Sequence, residues 1–199
     1  MTRWSLASLG ERGPVATSRR PATERRAQTP LETQGADQRP VAVVDIDGVL
    51  ADVRHRLPHL RDRPKDWDAF FAAAAADPVL DEGVAVVQRL AAEHEVVLVS
   101  GRPERCRRDT QRWLDKLQLP VSSLWLRPEG DRRPARQLKV DILRKLARRR
   151  SVVLVVDDDP AVCAAATAAG FAVFQATWLP ADEAPVRDLF SAQEVEGET

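Results

Sequence analysis

Two carboxylates stand one residue apart in Asp45-Ile46-Asp47-Gly48, directly after the apolar run Val41-Ala42-Val43-Val44. On an extended strand, residues two apart project to the same side. At the carboxyl end of the strand such a pair points into the crevice where open α/β sheets bind ligands. Like charges this close cannot both ionise cheaply, so either a cation sits between them or one proton is held. Gly48 permits a sharp backbone exit. A second acidic cluster, Asp157-Asp158-Asp159, follows the apolar run Val152-Val153-Leu154-Val155-Val156. Two acidic clusters at strand ends supply the oxygen ligands that Mg²⁺ prefers. Asp159 precedes Pro160 and is the expected N-cap of the next helix.

Ser100-Gly101-Arg102 ends a third apolar run, Val96-Val97-Leu98-Val99. A hydroxyl, a glycine N–H and a helix N-terminus together make a cradle for anionic oxygens. Lys139 opens a later helix and can add a cation. Each residue also has an ordinary reading. The acids can serve turns, Lys139 can be a solvated surface lysine, and Arg102 can pair structurally rather than touch substrate. The set weighs more than its members.

The elements that must position these groups alternate regularly. Five short apolar runs read as strands buried on both faces: the three above, Ser123-Leu124-Trp125-Leu126 and Phe171-Ala172-Val173-Phe174. Between them, residues 81–94, 103–117, 138–149 and 160–169 carry apolar positions at helical spacing, the last ending at Gly170. This alternation predicts an α/β fold, a three-layer doubly wound parallel sheet. The first connection, residues 50–78, exceeds the ~2–6 residues of an ordinary strand-to-helix loop. It holds a helix candidate over 66–76, with Asp66 as N-cap. This small helical insertion after the first strand should sit over the carboxyl ends of the strands. Trp67 and Phe70 are expected to pack it, His55 to lie in a loop, and Cys106 and Cys163 to be small core residues.

The chain has 199 residues, with 30 basic and 30 acidic side chains, so its formal charge is zero. That excludes a globally polycationic nucleic-acid coat and an acidic disordered chain. Residues 41–180 are expected to form one domain. Residues 1–40, with net charge +3 and little apolar clustering, are expected to be disordered, and 181–199 to form an acidic, solvated tail. Pro14, Pro21, Pro30 and four acids argue against an amphipathic transit segment. The longest apolar runs are strand-sized or alanine-rich, so no membrane span is expected. Two cysteines are too few for a disulfide framework, and a cytoplasmic localisation is expected.

Taken in order, Asp45-Ile46-Asp47-Gly48-Val49, Ser100, Lys139 and Asp157-Asp158 resemble the four motifs of the haloacid dehalogenase (HAD) superfamily of phosphohydrolases. The resemblance covers residues 41 to about 180 and implies a sheet order of 5-4-1-2-3. It implies Asp45 as nucleophile, forming an aspartyl-phosphate, and Asp47 as general acid and then base. It implies Mg²⁺ held by Asp45, the Asp47 main-chain carbonyl, Asp158 and Asp157. Ser100, Gly101 and Lys139 would hold the phosphoryl oxygens.

A narrower likeness, through Ser100-Gly101-Arg102-Pro103-Glu104, Leu126-Arg127, Asp131-Arg132, Lys139 and Asp157-Asp158, is to the phosphatase half of polynucleotide kinase–phosphatases. Those enzymes remove 3′-phosphates from nucleic-acid ends. The chain departs from them in having no G-x-x-x-x-G-K-[S/T] loop, and in Asp159 where Arg or Asn is expected.

Residues 127–150 carry ten bases and three acids. Such a run is ordinarily a solvated helix face. Its first part, with Arg127 and Arg132, should lie near the crevice, where it and Arg102 are candidates for substrate binding. Three readings remain open from the sequence. One is a phosphomonoesterase for nucleic-acid 3′ ends. Another is the same chemistry on a nucleotide or sugar phosphate. The third is a non-enzymatic nucleic-acid-binding module on the same fold.

Overall fold

The computed structural model describes residues 39–179 together with Leu189 and Phe190. The expectations for residues 1–40 and 181–199 therefore lie outside the described residues, except at Arg39, Pro40, Leu189 and Phe190. Arg39 is part of the fold: its Nη2 donates to Ala91 O at 3.0 Å and Ala92 O at 2.6 Å. Leu189 falls inside the expected solvated tail, yet it is buried in the insertion's core.

Five parallel strands form the sheet: β1 (Val41–Val44), β2 (Glu95–Pro103), β3 (Val121–Arg127), β4 (Val152–Asp157) and β5 (Val173–Gln175). Their spatial order is β3-β2-β1-β4-β5, the order the resemblance implies read from the opposite edge. β1 is central and wholly buried, which is why it reads as an unbroken apolar run.

Five α-helices connect the strands: α1 (Trp67–Ala73), α2 (Asp81–Glu93), α3 (Arg107–Leu117), α4 (Ala135–Ala147) and α5 (Pro160–Ala168). Val44, Val96, Leu98 and Val156 meet Val87 of α2 and Trp113 and Leu114 of α3 in one core. Val41, Val43, Val97, Val99 and Val155 meet Leu138, Ile142 and Leu143 of α4 and Ala166 of α5 in another. The sheet is thus sandwiched between helical layers, as expected. Among the described residues no helix is long and apolar enough to cross a membrane.

Two boundaries differ from the sequence reading, and both bear on the site. Pro103 does not open a helix. It continues β2 with an extended φ/ψ of −68°/156°, and α3 begins only at Arg107 after a 3-10 turn, Glu104–Cys106. α4 begins at Ala135, so Lys139 lies one turn inside the helix instead of opening it.

The insertion comprises a 3-10 helix (Arg54–Leu60), α1 and a short 3-10 turn (Ala74–Ala76). Asp66 caps α1 as expected, its carboxylate accepting from Ala69 N–H at 2.8 Å. Trp67 stacks on Phe71, Phe70 meets both rings edge-on, and all three are buried, and so pack the insertion as expected. Backbone bridges from Ala51 to Asp47 and to Val79 hold both ends of the insertion beside the first strand's exit.

Candidate active site

β1 stops at Val44, and Asp45 N–H donates to Val156 O at 2.9 Å, so the chain leaves the sheet next to β4. Leu50 and Ala51 N–H both return to Ile46 O at 2.8 Å. The tight loop turns at Gly48, whose φ is +76°. Glycine is required there twice over. The φ is left-handed, and a Cβ would fall 1.7 Å from Asp158 Oδ2. Asp158, the residue after the end of β4, thus lies directly against the first strand's exit loop.

That approach brings the two sequence clusters together. Carboxylate oxygens of Asp45, Asp157 and Asp158 lie within 4.8 Å of one another, and all three residues are buried. Lys139 reaches from α4 into this group. Its Nζ lies 2.8 Å from Asp45 Oδ2 and 2.7 Å from Asp157 Oδ2. Burial favours a neutral lysine, but Asp157 and Asp45 outweigh it and raise the Lys139 pKa, so the ammonium stays charged. Three carboxylates against one ammonium leave negative charge in excess.

That excess shows in the acids. Burial, with the Asp157 and Asp47 charges, outweighs Lys139 and raises the Asp45 carboxyl to about 7. Burial and the Asp157 and Asp45 charges push Asp158 well above the ordinary carboxylate range. Asp45 Oδ1 is buried without a hydrogen-bond partner. An orphaned oxygen within a tight all-carboxylate group is the donor set of a hard divalent cation. Asp45, Asp157 and Asp158 fit one.

Asp47 is in a different environment. Its Oδ1 accepts from Arg102 Nη2 at 2.6 Å, Arg102 Nε at 3.0 Å and Arg56 Nη2 at 2.6 Å. Burial opposes its ionisation, yet Arg102 and Arg56 prevail and hold its carboxyl at about 2. Behind the arginines stands Asp77, whose side chain is 0% exposed. Asp77 accepts from Arg102 Nη2 at 2.6 Å and from Arg56 Nε at 2.9 Å. Arg56 lies over the Phe70 ring at 4.2 Å. His55 is not a loop residue: it lies in the 3-10 helix with Nε2 2.8 Å from Asp77 Oδ1.

Arg56 and Asp77 are parts of the site that sequence reasoning missed. Arg56 adjoins His55 in a stretch that reads as loop, and Asp77 precedes Pro78 as any turn acid does. Only the insertion's fold brings them to Asp47.

The remaining candidates divide. Ser100 is fully buried, its Oγ accepting from Arg102 N–H at 3.2 Å, and Gly101 follows it on β2. Because β2 runs on to Pro103, no helix begins directly after them, contrary to the sequence reading. Arg102 is 1% exposed and engaged by Asp47 and Asp77. Arg127 is also buried and donates to the carbonyls of Gly101, Asp131 and Arg133. Both are held by partners within the fold, and Arg127 also lines the cleft beside the insertion. Arg132 is exposed and lines a cleft of about 570 Å³ with Lys65, Trp67, Arg105 and Glu129, between the insertion and the segment after β3. Asp159 caps α5, accepting from Ala161 N–H at 2.8 Å.

Sheet order, the paired acids after β1 and the lysine-bridged acids after β4 define a haloacid dehalogenase-type phosphatase. A family model described as the polynucleotide kinase PNKP phosphatase domain matches residues 39–178, and the chain belongs to that family. A chain of the Pnkp1/Rnl/Hen1 complex matches with TM-score 0.59 and 22% identity, over 76% of this chain and 50% of its own. A chain of the Pnkp1/Rnl/Hen1 RNA repair complex matches with TM-score 0.58 and 24% identity, over 75% and 47%. The present chain thus spans about half the length of those chains. A haloacid dehalogenase-like hydrolase from Streptococcus pneumoniae matches with TM-score 0.52 and 9% identity, over 75% and 90%. At these identities the likenesses show the fold alone. No curated protein matches the chain.

Proposed function

We propose that this phosphatase is a Mg²⁺-dependent phosphomonoesterase that works through an aspartyl-phosphate on Asp45 and acts on nucleic-acid 3′ ends. The buried group of Asp45, Asp157 and Asp158 around Lys139 carries the reading. The cation would be held by those three side chains, with the Asp47 main-chain carbonyl. When bound, it offsets the repulsion between the Asp45 carboxylate and the incoming phosphoryl group.

The chain's own residues do the rest. Lys139 fixes Asp45 Oδ2 and leaves the carboxylate aligned at the end of β1. Attack by Asp45 on phosphorus forms the acyl phosphate and releases the alcohol. Water then cleaves the acyl phosphate, and Asp47 accepts its proton. The resting geometry suits this second role, because two guanidiniums keep Asp47 ionised. Donating to the leaving alcohol requires a proton on Asp47. The incoming phosphoryl charge favours it, since a nearby like charge raises a carboxyl's pKa. Ser100 and Gly101 on β2 and Lys139 in α4 would hold the phosphoryl oxygens.

Two observations support a polynucleotide end as substrate. The family is that of the polynucleotide kinase phosphatase domain. A chain of similar fold belongs to the Pnkp1/Rnl/Hen1 RNA repair complex. The test is a phosphatase screen with and without Mg²⁺, comparing 3′- and 5′-phosphorylated oligonucleotides with nucleotides and sugar phosphates. Preference for the 3′-phosphorylated strand supports the proposal. Preference for a nucleotide or sugar phosphate gives the small-metabolite reading, and no hydrolysis of any ester overturns the enzyme mechanism.

A further inference from the structure

The end of α4 carries a feature that phosphoryl transfer does not use. Trp125 on β3 is 36% exposed, one of three large apolar side chains so exposed among the described residues. β3 is the edge strand beyond β2, and among the described residues no further strand covers it. Beside Trp125 lies a cavity of about 580 Å³, lined by Trp125, Leu146, Lys145, Arg148, Arg149 and Arg150. Trp125 and Leu146 are its apolar lining residues, and the other four are bases with no acid among them. Arg150 is anchored, donating to Arg39 O at 2.8 Å and to Glu95. Lys145, Arg148 and Arg149 are exposed, and none has an acidic partner among the described residues.

A helix C-terminus favours nearby cations, but that effect fades within the last turn and needs no aromatic ring. An exposed ring flanked by unpaired bases is the arrangement that holds single-stranded nucleic acid. The ring stacks on a base and the cations track the phosphates. Phosphate charge complements this rim, and a base face complements Trp125.

We propose that this cleft is an exosite for the single strand upstream of the scissile 3′-phosphate. The proposal rests on the polynucleotide reading of the active site. α4 links the two places, with Lys139 at the carboxylates and Arg149 just beyond the helix end. At ~1.5 Å per residue they are about 15 Å apart along the helix axis. At ~3.4 Å or more per nucleotide, that is a path on the order of four nucleotides. A dinucleotide is too short to engage both places, and a decanucleotide is long enough.

The test uses thymidine oligonucleotides and the full chain. Binding of unphosphorylated decathymidylate is followed by fluorescence anisotropy across a salt series. Trp125→Ala should weaken it about tenfold, as expected for one lost stack. The double variant Arg148→Ser/Arg149→Ser should also weaken it and reduce the salt slope by about 1.4. With 3′-phosphorylated substrates, the decanucleotide-to-dinucleotide ratio of kcat/KM should be well above unity in the wild type and should collapse in both variants. Hydrolysis with a flat ratio overturns the exosite and leaves the function standing. Variant-sensitive binding without hydrolysis of either substrate keeps the exosite and overturns the function. Polyglutamate binding as tightly as decathymidylate, with Trp125→Ala inert, assigns the cleft to an acidic protein segment and overturns the proposal.

Discussion

Arg102 Nη2 bridges two carboxylates, lying 2.6 Å from Asp47 Oδ1 and 2.6 Å from Asp77 Oδ2. Arg102, for which the sequence left both structural pairing and substrate contact open, is a buried link between the Asp45–Asp47 loop and the end of the insertion. With Arg56 the group contains two guanidiniums and two carboxylates, a neutral set out of water. Breaking such a set from one side leaves an uncompensated buried charge and costs about 3–5 kcal/mol.

Asp77→Asn is expected to lower the melting temperature and abolish most turnover. Adding Arg56→Met to Asp77→Asn restores neutrality and should recover part of the stability but not the activity. The check is thermal unfolding of both variants beside the wild type. An unchanged melting temperature for Asp77→Asn would remove it from the network.

Gly48→Ala and Gly170→Ala form a matched pair. Both glycines have positive φ, +76° and +90°. Only at Gly48 does a Cβ strike something, Asp158 Oδ2 at 1.7 Å, whereas nothing lies within 4 Å of the Gly170 position. Gly170→Ala should cost on the order of 1 kcal/mol and leave catalysis intact. Gly48→Ala should cut kcat/KM at least a hundredfold and abolish stabilisation by Mg²⁺. Steady-state kinetics with a Mg²⁺ melting series separates them.

The strands, the layer order and both acidic clusters are legible in the sequence because each reflects local chemistry. Buried parallel strands read as unbroken apolar runs, and clustered acids at their ends have few structural uses. Arg56 and Asp77 are not legible because each is ordinary in its own neighbourhood. The burial of Arg102 and Arg127 is not legible either. Burial of an arginine depends on its partners in the fold, here the distant Asp47 and Asp77 for Arg102, and for Arg127 the distant Gly101 carbonyl with the nearby carbonyls of Asp131 and Arg133. Pro103 misleads too, since a proline suits a strand edge as well as a helix start.

The raised Asp45 carboxyl gives a pH dependence of definite sign. Its folded value of about 7 exceeds the ordinary 3.8, so the folded protein binds the extra proton between them. The metal-free protein should therefore lose stability as pH rises from about 4 to about 7, by up to about 1.4 kcal/mol per unit. Mg²⁺ competes with that proton, so its effect on the melting temperature should be small near pH 5 and large near pH 8. Calorimetry at both values, with and without millimolar Mg²⁺, measures it. An equal shift at both would place the cation elsewhere.

In the proposed mechanism Asp45 carries the phosphoryl group. An acyl phosphate is reduced by borohydride, which turns its aspartate into homoserine. The decisive measurement is acid quench of the enzyme during turnover of a 3′-phosphorylated oligonucleotide with Mg²⁺, then borohydride reduction and peptide mass spectrometry. Homoserine is expected at position 45 only when substrate and Mg²⁺ are both present, and none in Asp45→Asn, which should be inactive but folded. Brisk turnover with position 45 unreduced, or reduction at another aspartate, would contradict it.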